Sequence, residues 1–421
     1  MICCISGQAQ YTLDKYQLLA RENYPLIKQH GLIEKCTDYS VSNALKSYLP
    51  QVSLLAQATY QSDVATFPKQ MSDIYKQAGI DMRGLNKDQY RIALDVNQTI
   101  WDGGLARTQK DASIAEGRVS AQSVETELYT LRERINMLYF GILILNEQLR
   151  QNDLLQELLQ SNYNTVAAYV KNGVAMQSDL QAIKAEQLTV SQQRIQVESA
   201  AKAYRTMLSV MTGVPIGDEA TFEKPLVTIS GNNSTYQPNN RPELQLFDIQ
   251  SELFEVQKRS VIASTMPRLG VFVQGFYGNP GLNLFKDMTE NKWTWNYIAG
   301  LRVQWNFGSL YTKKGNIQKL SLAQQQIDNR RETFLFNTDL QQIQQQQTIE
   351  KMRKMMIDDD EIIRLRSSIR LSSEAKYANG TITVSELLKD ITTESQALLS
   401  KTLHELEWLK NIYEMKTITN N

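Results

Sequence analysis

Residues whose types and spacing could support chemistry are scarce in this chain. Its 421 residues include two histidines, His30 and His404, which lie in different segments without a partner motif, and only three cysteines. No dinucleotide-binding GxGxxG, Walker loop or HExxH pattern occurs. This scarcity argues against an enzyme and against a histidine-rich or cysteine-rich metal site. We therefore predict no catalytic residue, no metal and no cofactor.

Net charge and hydropathy exclude further classes of protein. Lys and Arg number 45, as do Asp and Glu, and the resulting net charge of zero argues against a nucleic-acid partner. The acidic run at 358–361 is interpreted as a solvated helix face rather than a cation site. No apolar run reaches the ~18 residues that a transmembrane helix needs. Strands of a membrane barrel alternate in polarity and escape this count.

The start of the chain has one feature of a secretion signal. Gly7-Gln8-Ala9 has the small-x-small form of a signal-peptidase site, but the basic region and most of the apolar region are missing. We expect residues 1–9 to be the remnant of a truncated signal peptide, and an ordinary disordered start is the alternative. Cleavage there would leave Cys36 as a lone cysteine without an internal disulfide.

The two halves of the chain repeat one plan. Short motifs recur in the same order: Asn23-Tyr24-Pro25 and Asn240-Arg241-Pro242, Leu49-Pro50-Gln51 and Met266-Pro267-Arg268, Asn172-Gly173 and Asn379-Gly380. Such ordered self-similarity is typical of an internal repeat. We predict a first repeat at 10–213 and a second at 241–421, joined by a proline-containing linker at 214–240.

Each repeat contains two short alternating segments. They lie at about 51–60 and 90–101 in the first repeat, and at about 268–277 and 297–307 in the second. One face of each is apolar and the other polar, which predicts half-buried strands. Alternation alone cannot distinguish lipid from a protein core, so a small soluble sheet packed on helices is the alternative.

The polar side chains of these segments are candidates for a water-filled lumen. They are Arg91, Asp95, Asn97, Arg302 and Gln304. Four strands cannot close a barrel, and an open sheet edge is not tolerated in lipid. Strands that span a membrane would therefore have to come from several chains.

Two long helices without proline are predicted after these strands, at 105 to about 171 and at 310 to about 376, the second broken only by Gly315 near its start. At 1.5 Å per residue each would be on the order of 100 Å long, which exceeds an ordinary globular core. Shorter helices flank them, at about 13–47 and 176–211 in the first repeat, and would stack end to end beside the long helix. Tight turns are expected at about 172–176 and 377–383, where Asn-Gly can supply the positive φ that ends a helix.

Several motifs in this order resemble those of the outer membrane efflux protein family, the TolC-like channels. They are Leu13-Asp14-Lys15, Asn23-Tyr24-Pro25, Leu49-Pro50-Gln51, Trp101-Asp102-Gly103-Gly104, Arg241-Pro242-Glu243-Leu244 and Trp305-Asn306-Phe307-Gly308. The resemblance implies a mainly α chain with four membrane β-strands. Its long helices and stacked short helices would form an α-barrel tunnel, and a trimer would complete a 12-stranded β-barrel.

The resemblance also implies a gate or adaptor-docking tip at the two turns. The second Tyr-x-x-Gly motif of the family is Tyr377-Ala378-Asn379-Gly380, followed by an acidic position at Glu386. The equivalents in the first repeat are Tyr169, Gly173 and Asp179. A second acidic position of the family falls on Lys389, and a basic one falls on Ile382. For Glu386, a helix N-terminal acid is an equally open interpretation.

By this resemblance the chain would be a passive exit duct of a tripartite efflux or type I secretion system. It would lie in the cell outer membrane with a long periplasmic extension. Its partners would be two further copies, outer-membrane lipid, a periplasmic adaptor and an inner-membrane pump of RND or ABC type. A soluble coiled-coil scaffold or adaptor-like protein is the alternative function. Drugs, metal ions, siderophores and proteins all remain open as cargo.

Overall fold

The computed structural model describes residues 11–80, 84–218, 220–226 and 238–420, so the predicted signal remnant at 1–9 lies outside the described residues. The chain is mainly helical with one four-stranded sheet. In order the elements are α1 (Leu13–Asn23), α2 (Gln29–Leu45), β1 (Gln51–Tyr60), α3 (Lys69–Gln77), β2 (Asp88–Trp101), α4 (Leu105–Lys171), α5 (Gln177–Thr212), α6 (Pro242–Ser264), β3 (Arg268–Asn279), α7 (Leu284–Glu290), β4 (Thr294–Gln304), α8 (Gly308–Ala378) and α9 (Val384–Thr419).

The same order of elements occurs in both halves of the chain. In the first half α1 and α2, and in the second half α6 alone, are followed by strand, short helix, strand, long helix and returning helix. The long helices α4 and α8 have 67 and 71 residues, and the returning helices α5 and α9 have 36 each. This order is what a repeat at 10–213 and 241–421 would produce, and it supports the proposed repeat.

The boundaries differ from the sequence-based ones at identifiable places. The predicted first helix is interrupted at Pro25, which opens a 3₁₀ turn over Pro25–Lys28 because its ring removes a backbone donor. β4 covers Thr294–Gln304, so Trp305, Asn306 and Phe307 lie beyond it. The Asn306 side chain instead accepts a hydrogen bond from Gly308 N at 3.0 Å, at the start of α8. The short helices α3 and α7 were not expected.

The sheet is antiparallel throughout, in the order β1-β2-β3-β4. Its register places Asp95 opposite Ser53 on one side and Gln274 on the other. One irregularity lies between Thr99 and Trp101, where β2 shifts against β3. Because side chains alternate along each strand, this register assigns every residue to one of two faces.

The chain divides into two compact units. One contains the described residues of Met1–His30, Gln122–Leu246 and Arg330–Asn421, and the other contains Gly31–Ala121 and Phe247–Asn329, including the sheet. The core of the first unit is aromatic, and Tyr16, Tyr139 and Phe140 are buried in it with Leu208. Phe222, from the linker, stacks on Tyr16 with ring centroids 5.8 Å apart. Each such side chain contributes about 1.5–3 kcal/mol by its burial.

Among the described residues, no helix combines the length and the apolar composition that crossing a membrane would require.

Candidate functional site

The polar residues predicted for a lumen lie on one face of the sheet. In the register of the strands, Arg91, Asp95 and Asn97 of β2 face the same way as Arg302 and Gln304 of β4. We call this the polar face. It also carries Gln51, Ser53 and Gln57 of β1, and Arg268, Phe272, Gln274 and Phe276 of β3.

Hydrogen bonds and ring contacts order the centre of the polar face. The Arg91 guanidinium donates to Gln274 Oε1, and Gln274 Nε2 donates to Asp95 Oδ1. The Arg91 Cζ atom lies 3.9 Å from the centroid of the Phe276 ring, and Arg302 Cζ lies 4.5 Å from that of Phe272. Both arginines therefore lie over aromatic rings, in the cation–π arrangement.

The opposite face of the sheet is apolar and uncovered within the described residues. Leu54 and Leu301 are each 72% exposed, and Val303 is 71% exposed. We call this the apolar face, and its residues include Val52, Leu54, Ile92, Leu94, Val271, Val273, Leu301 and Val303. A contiguous exposed surface of this kind marks contact with a membrane or a partner.

Aromatic side chains border the apolar face at both ends. At one end Tyr277 lies 5.2 Å from Trp293 and 5.0 Å from Trp295, measured between ring centroids. At the other end the rings of Trp305 and Phe307 lie 4.7 Å apart. Two aromatic girdles around an apolar band are typical of strands in an outer membrane.

The outer strands of the sheet each pair on one side only within the described residues. β1 pairs with β2, and β4 pairs with β3. Both edges therefore leave backbone donors and acceptors without a strand partner. Such edges invite pairing with another chain.

The two predicted turns have the same helix-ending geometry. Gly173 has φ +74° and Gly380 has φ +70°, and an added Cβ at either would meet nothing within 4 Å. Val174 N donates to Tyr169 O at 2.8 Å, and Thr381 N donates to Lys376 O at 3.0 Å. Gly173 N and Gly380 N also donate to the carbonyls three residues earlier, at 3.0 and 2.9 Å, and together these contacts form Schellman motifs.

The predicted tip residues Tyr169 and Tyr377 are brought into contact, with ring centroids 6.2 Å apart. Tyr377 also packs against the buried cluster formed by Val166, Ile183 and Val384. Its hydroxyl oxygen is buried and has no hydrogen-bond partner among the described residues. Burial first, and then the negative charge of Asp179, raise the pKa of Tyr377 above its ordinary value.

The two acidic tip residues each bind the start of their own helix. Thr383 N donates to Glu386 Oε2 at 2.9 Å, and Glu386 N donates to Thr383 Oγ1 at 3.3 Å, which together form a capping box. Met176 N donates to Asp179 Oδ2 at 3.1 Å, which is the equivalent contact at α5. The carboxylate of Glu386 is therefore engaged in its helix cap.

Two polar contacts between α8 and α9 are not predicted by the sequence. His404 Nδ1 lies 2.9 Å from Asp359 Oδ2, and the Asp359 side chain is buried. Arg370 pairs with the buried Glu394 and, at 2.6 Å, with Glu374. The partners on α9 are far from α8 in the chain, so spacing within one helix could not have found them. The interpretation of the acidic run at 358–361 as a solvated face is wrong for Asp359, because its side chain is buried against His404.

The architecture is similar to that of solved channel structures. The chain matches the outer-membrane channel OprN with a TM-score of 0.69 and 13% sequence identity, over 97% of this chain and 89% of that one. It has the TolC-like channel fold. It also matches CusC with a TM-score of 0.68 and 10% identity, over 98% of this chain and 92% of that one.

A third match with the TolC-like fold is the outer membrane protein VceC of Vibrio cholerae. Its TM-score is 0.66 at 12% identity, over 97% of this chain and 96% of that one. No family model and no curated protein sequence matches the chain. At identities this low, the TM-scores establish a shared architecture only. The function of the chain therefore has to follow from the surfaces described above.

Proposed function

We propose that this chain forms, as a homotrimer, an outer-membrane channel that is the exit duct of a tripartite efflux or type I secretion system. The observation that carries the proposal is the two-sided sheet with unpaired edges. Its apolar face would contact lipid and its polar face would line water. No catalytic step is part of this function, since transport would be passive diffusion through the duct.

The need for several chains follows from the free edges of β1 and β4. In lipid, every backbone donor and acceptor requires a partner within protein, so an open sheet edge is not viable there. Three copies, joined edge to edge, would supply twelve strands. That number closes a barrel wide enough for a water-filled channel.

The long helices suit a periplasmic extension of the duct. α4 has 67 residues and α8 has 71, so each is on the order of 100 Å long. Their far turns would be the gate and the docking site for a periplasmic adaptor, which couples the duct to an inner-membrane pump. At the first turn the apolar side chains of Val174 and Met176 are 73% and 74% exposed. Exposed apolar residues of this kind are expected at a surface that binds another protein.

Single cysteines at neighbouring positions of β2 test the lumen assignment. In a background with the three native cysteines changed to serine, Asp95→Cys and Leu94→Cys are placed on opposite faces. A water-soluble, membrane-impermeant maleimide should label Asp95→Cys in isolated outer membranes and leave Leu94→Cys unlabelled. Mass spectrometry of the purified chain measures the labelled fraction.

A planar bilayer recording of the purified oligomer completes the test. An unheated trimer with discrete conductance steps is the expected result. Equal labelling at both cysteines together with a non-conducting soluble species would contradict the duct. The four strands would then be an ordinary small sheet, and the coiled-coil scaffold would be the better function.

A further inference from the structure

The polar face of the sheet carries an excess of positive charge. Its cationic side chains are Arg91 on β2, Arg268 on β3 and Arg302 on β4, and its one carboxylate is Asp95. The polar face of β1 carries no charged residue. Each chain therefore contributes a net charge of plus two to this face.

The cation and the carboxylate of β2 share one hydrogen-bonding partner. Gln274 bridges them, because it accepts from Arg91 and donates to Asp95. Another carboxylate just beyond β2, Asp102, is 6% exposed and accepts hydrogen bonds from Tyr48 OH at 2.8 Å and from Ala106 N at 2.7 Å. Asp102 is therefore bound within its own turn.

Arg268 and Arg302 remain without a counter-charge. Arg268 lies opposite Gln304, and Arg302 lies opposite Gly270, so the two residues are diagonal neighbours whose Cα atoms are about 7–8 Å apart. Both are exposed, and neither is in an ion pair within the part of the chain that the structure describes. Two unpaired positive charges on adjacent strands of one face attract an anion to that face.

We propose that these arginines make the β-barrel section of the duct selective for anionic cargo. The inference rests on the proposed function, because it requires the polar face to line the lumen. Three chains would place Arg268 and Arg302 three times around one pore, close to the helical end of the strands. Charge of one sign in a walled passage raises the local concentration of the opposite sign.

The local potential is measured by the rate at which a luminal cysteine reacts with charged thiol reagents. Asn97→Cys is the reporter, in the background without native cysteines. Asn97 is exposed on the polar face opposite Phe272, whose ring lies under Arg302. The reagents are the anionic sulfonatoethyl and the cationic trimethylammonioethyl methanethiosulfonates. Each rate is divided by the rate of the same reagent with a free small thiol.

We expect the normalised rate to favour the anionic reagent by about fivefold at physiological salt. Arg302→Gln and Arg268→Gln should each reduce the ratio about twofold, whereas Arg302→Lys should preserve it because the charge remains. Lys319→Gln, on the exposed surface of α8, removes the same charge outside the sheet and should leave the ratio unchanged.

The outcomes distinguish a failure of anion selectivity from a failure of the proposed channel function. A ratio at or below one with the unaltered arginines overturns anion selectivity, even if the Gln variants fail to assemble, while the duct stands. A preference that survives both Arg→Gln changes also overturns the role of these arginines. An Asn97→Cys thiol that reacts with neither reagent contradicts the lumen itself, and the proposed function fails with it.

Discussion

Two roles are open to Glu386, and its contacts allow them to be separated. The carboxylate accepts hydrogen bonds from Thr383 N and Thr383 Oγ1, at 2.9 and 3.1 Å, and thereby caps α9. It is also exposed at the turn where a gate would lie. The sequence could identify the acid and its position, but capping and gating both favour a carboxylate there.

If Glu386 gates the channel by its charge, Glu386→Gln should raise the single-channel conductance as much as Glu386→Ala does. Glutamine keeps the capping geometry and loses only the charge. Thr383→Ala is the matched control, because it weakens the cap by about 1 kcal/mol and keeps the charge. A conductance raised by Thr383→Ala and unchanged by Glu386→Gln would assign Glu386 to the cap alone.

Tyr377 should tolerate loss of its hydroxyl but not of its ring. Since the hydroxyl has no partner among the described residues, Tyr377→Phe should change the free energy of unfolding by less than about 0.5 kcal/mol at pH 7. Tyr377→Ala removes the contacts with Tyr169 and the Val384 cluster and should cost about 2 kcal/mol or more. Thermal unfolding of the purified protein in detergent gives both values.

The raised pKa of Tyr377 makes the difference in stability between the unaltered chain and Tyr377→Phe depend on pH. Folding favours the neutral phenol, so this stabilisation is complete below the ordinary tyrosine pKa of about 10 and declines as pH rises above it. Tyr377→Phe should therefore unfold at higher pH than the unaltered chain. An identical alkaline midpoint would contradict the burial of this phenol.

At the scale of elements, the sequence was most informative where periodicity was long. It predicted β1 from an alternation that is broken only at Leu55, and α4 from a helical spacing without proline. It missed α3 and α7, since short helices of nine and seven residues carry little periodic signal. It also missed the pair of Arg370 with Glu394, which only the packing of α8 on α9 creates.

Substitution by alanine should destabilise the chain at a helix-ending glycine and stabilise it at a glycine within a helix. Gly380→Ala places a Cβ at φ +70° and should destabilise the turn by about 1–2 kcal/mol through backbone strain, since no clash occurs. Gly380→Asn should recover part of this loss, because asparagine adopts left-handed backbone more readily. Hydrogen exchange of the amides at 377–383 measures the opening free energy of the turn.

Gly315 provides the matched control for that series. It lies inside α8, and an added Cβ there would also meet nothing within 4 Å. Gly315→Ala should therefore stabilise the helix by about 0.5–1 kcal/mol, because alanine has the higher helix propensity. Equal effects at Gly315 and Gly380 would contradict the left-handed turn.

At the scale of the whole molecule, the shared architecture and the two-sided sheet indicate that one chain alone does not complete the sheet. The matched channels span nearly the whole chain, at TM-scores of 0.66 to 0.69. Yet a single chain leaves the apolar face exposed and both sheet edges unpaired among its described residues. The sequence could predict this incompleteness, because four strands are too few for closure, whereas the partner chains themselves are not encoded in any local pattern.

A charge placed on either side of β1 tests whether the apolar face meets lipid in the proposed trimer. Leu54→Arg lies on the apolar face, where an arginine in the hydrocarbon of a bilayer costs about 2–4 kcal/mol. It should lower the yield of unheated trimer in the outer membrane severalfold. Ser53→Arg, the neighbouring residue on the polar face opposite Asp95, would enter water and should assemble normally. Loss of trimer in both variants, or in neither, would mean that the two faces do not meet different solvents, and the sheet would not be a membrane-spanning wall.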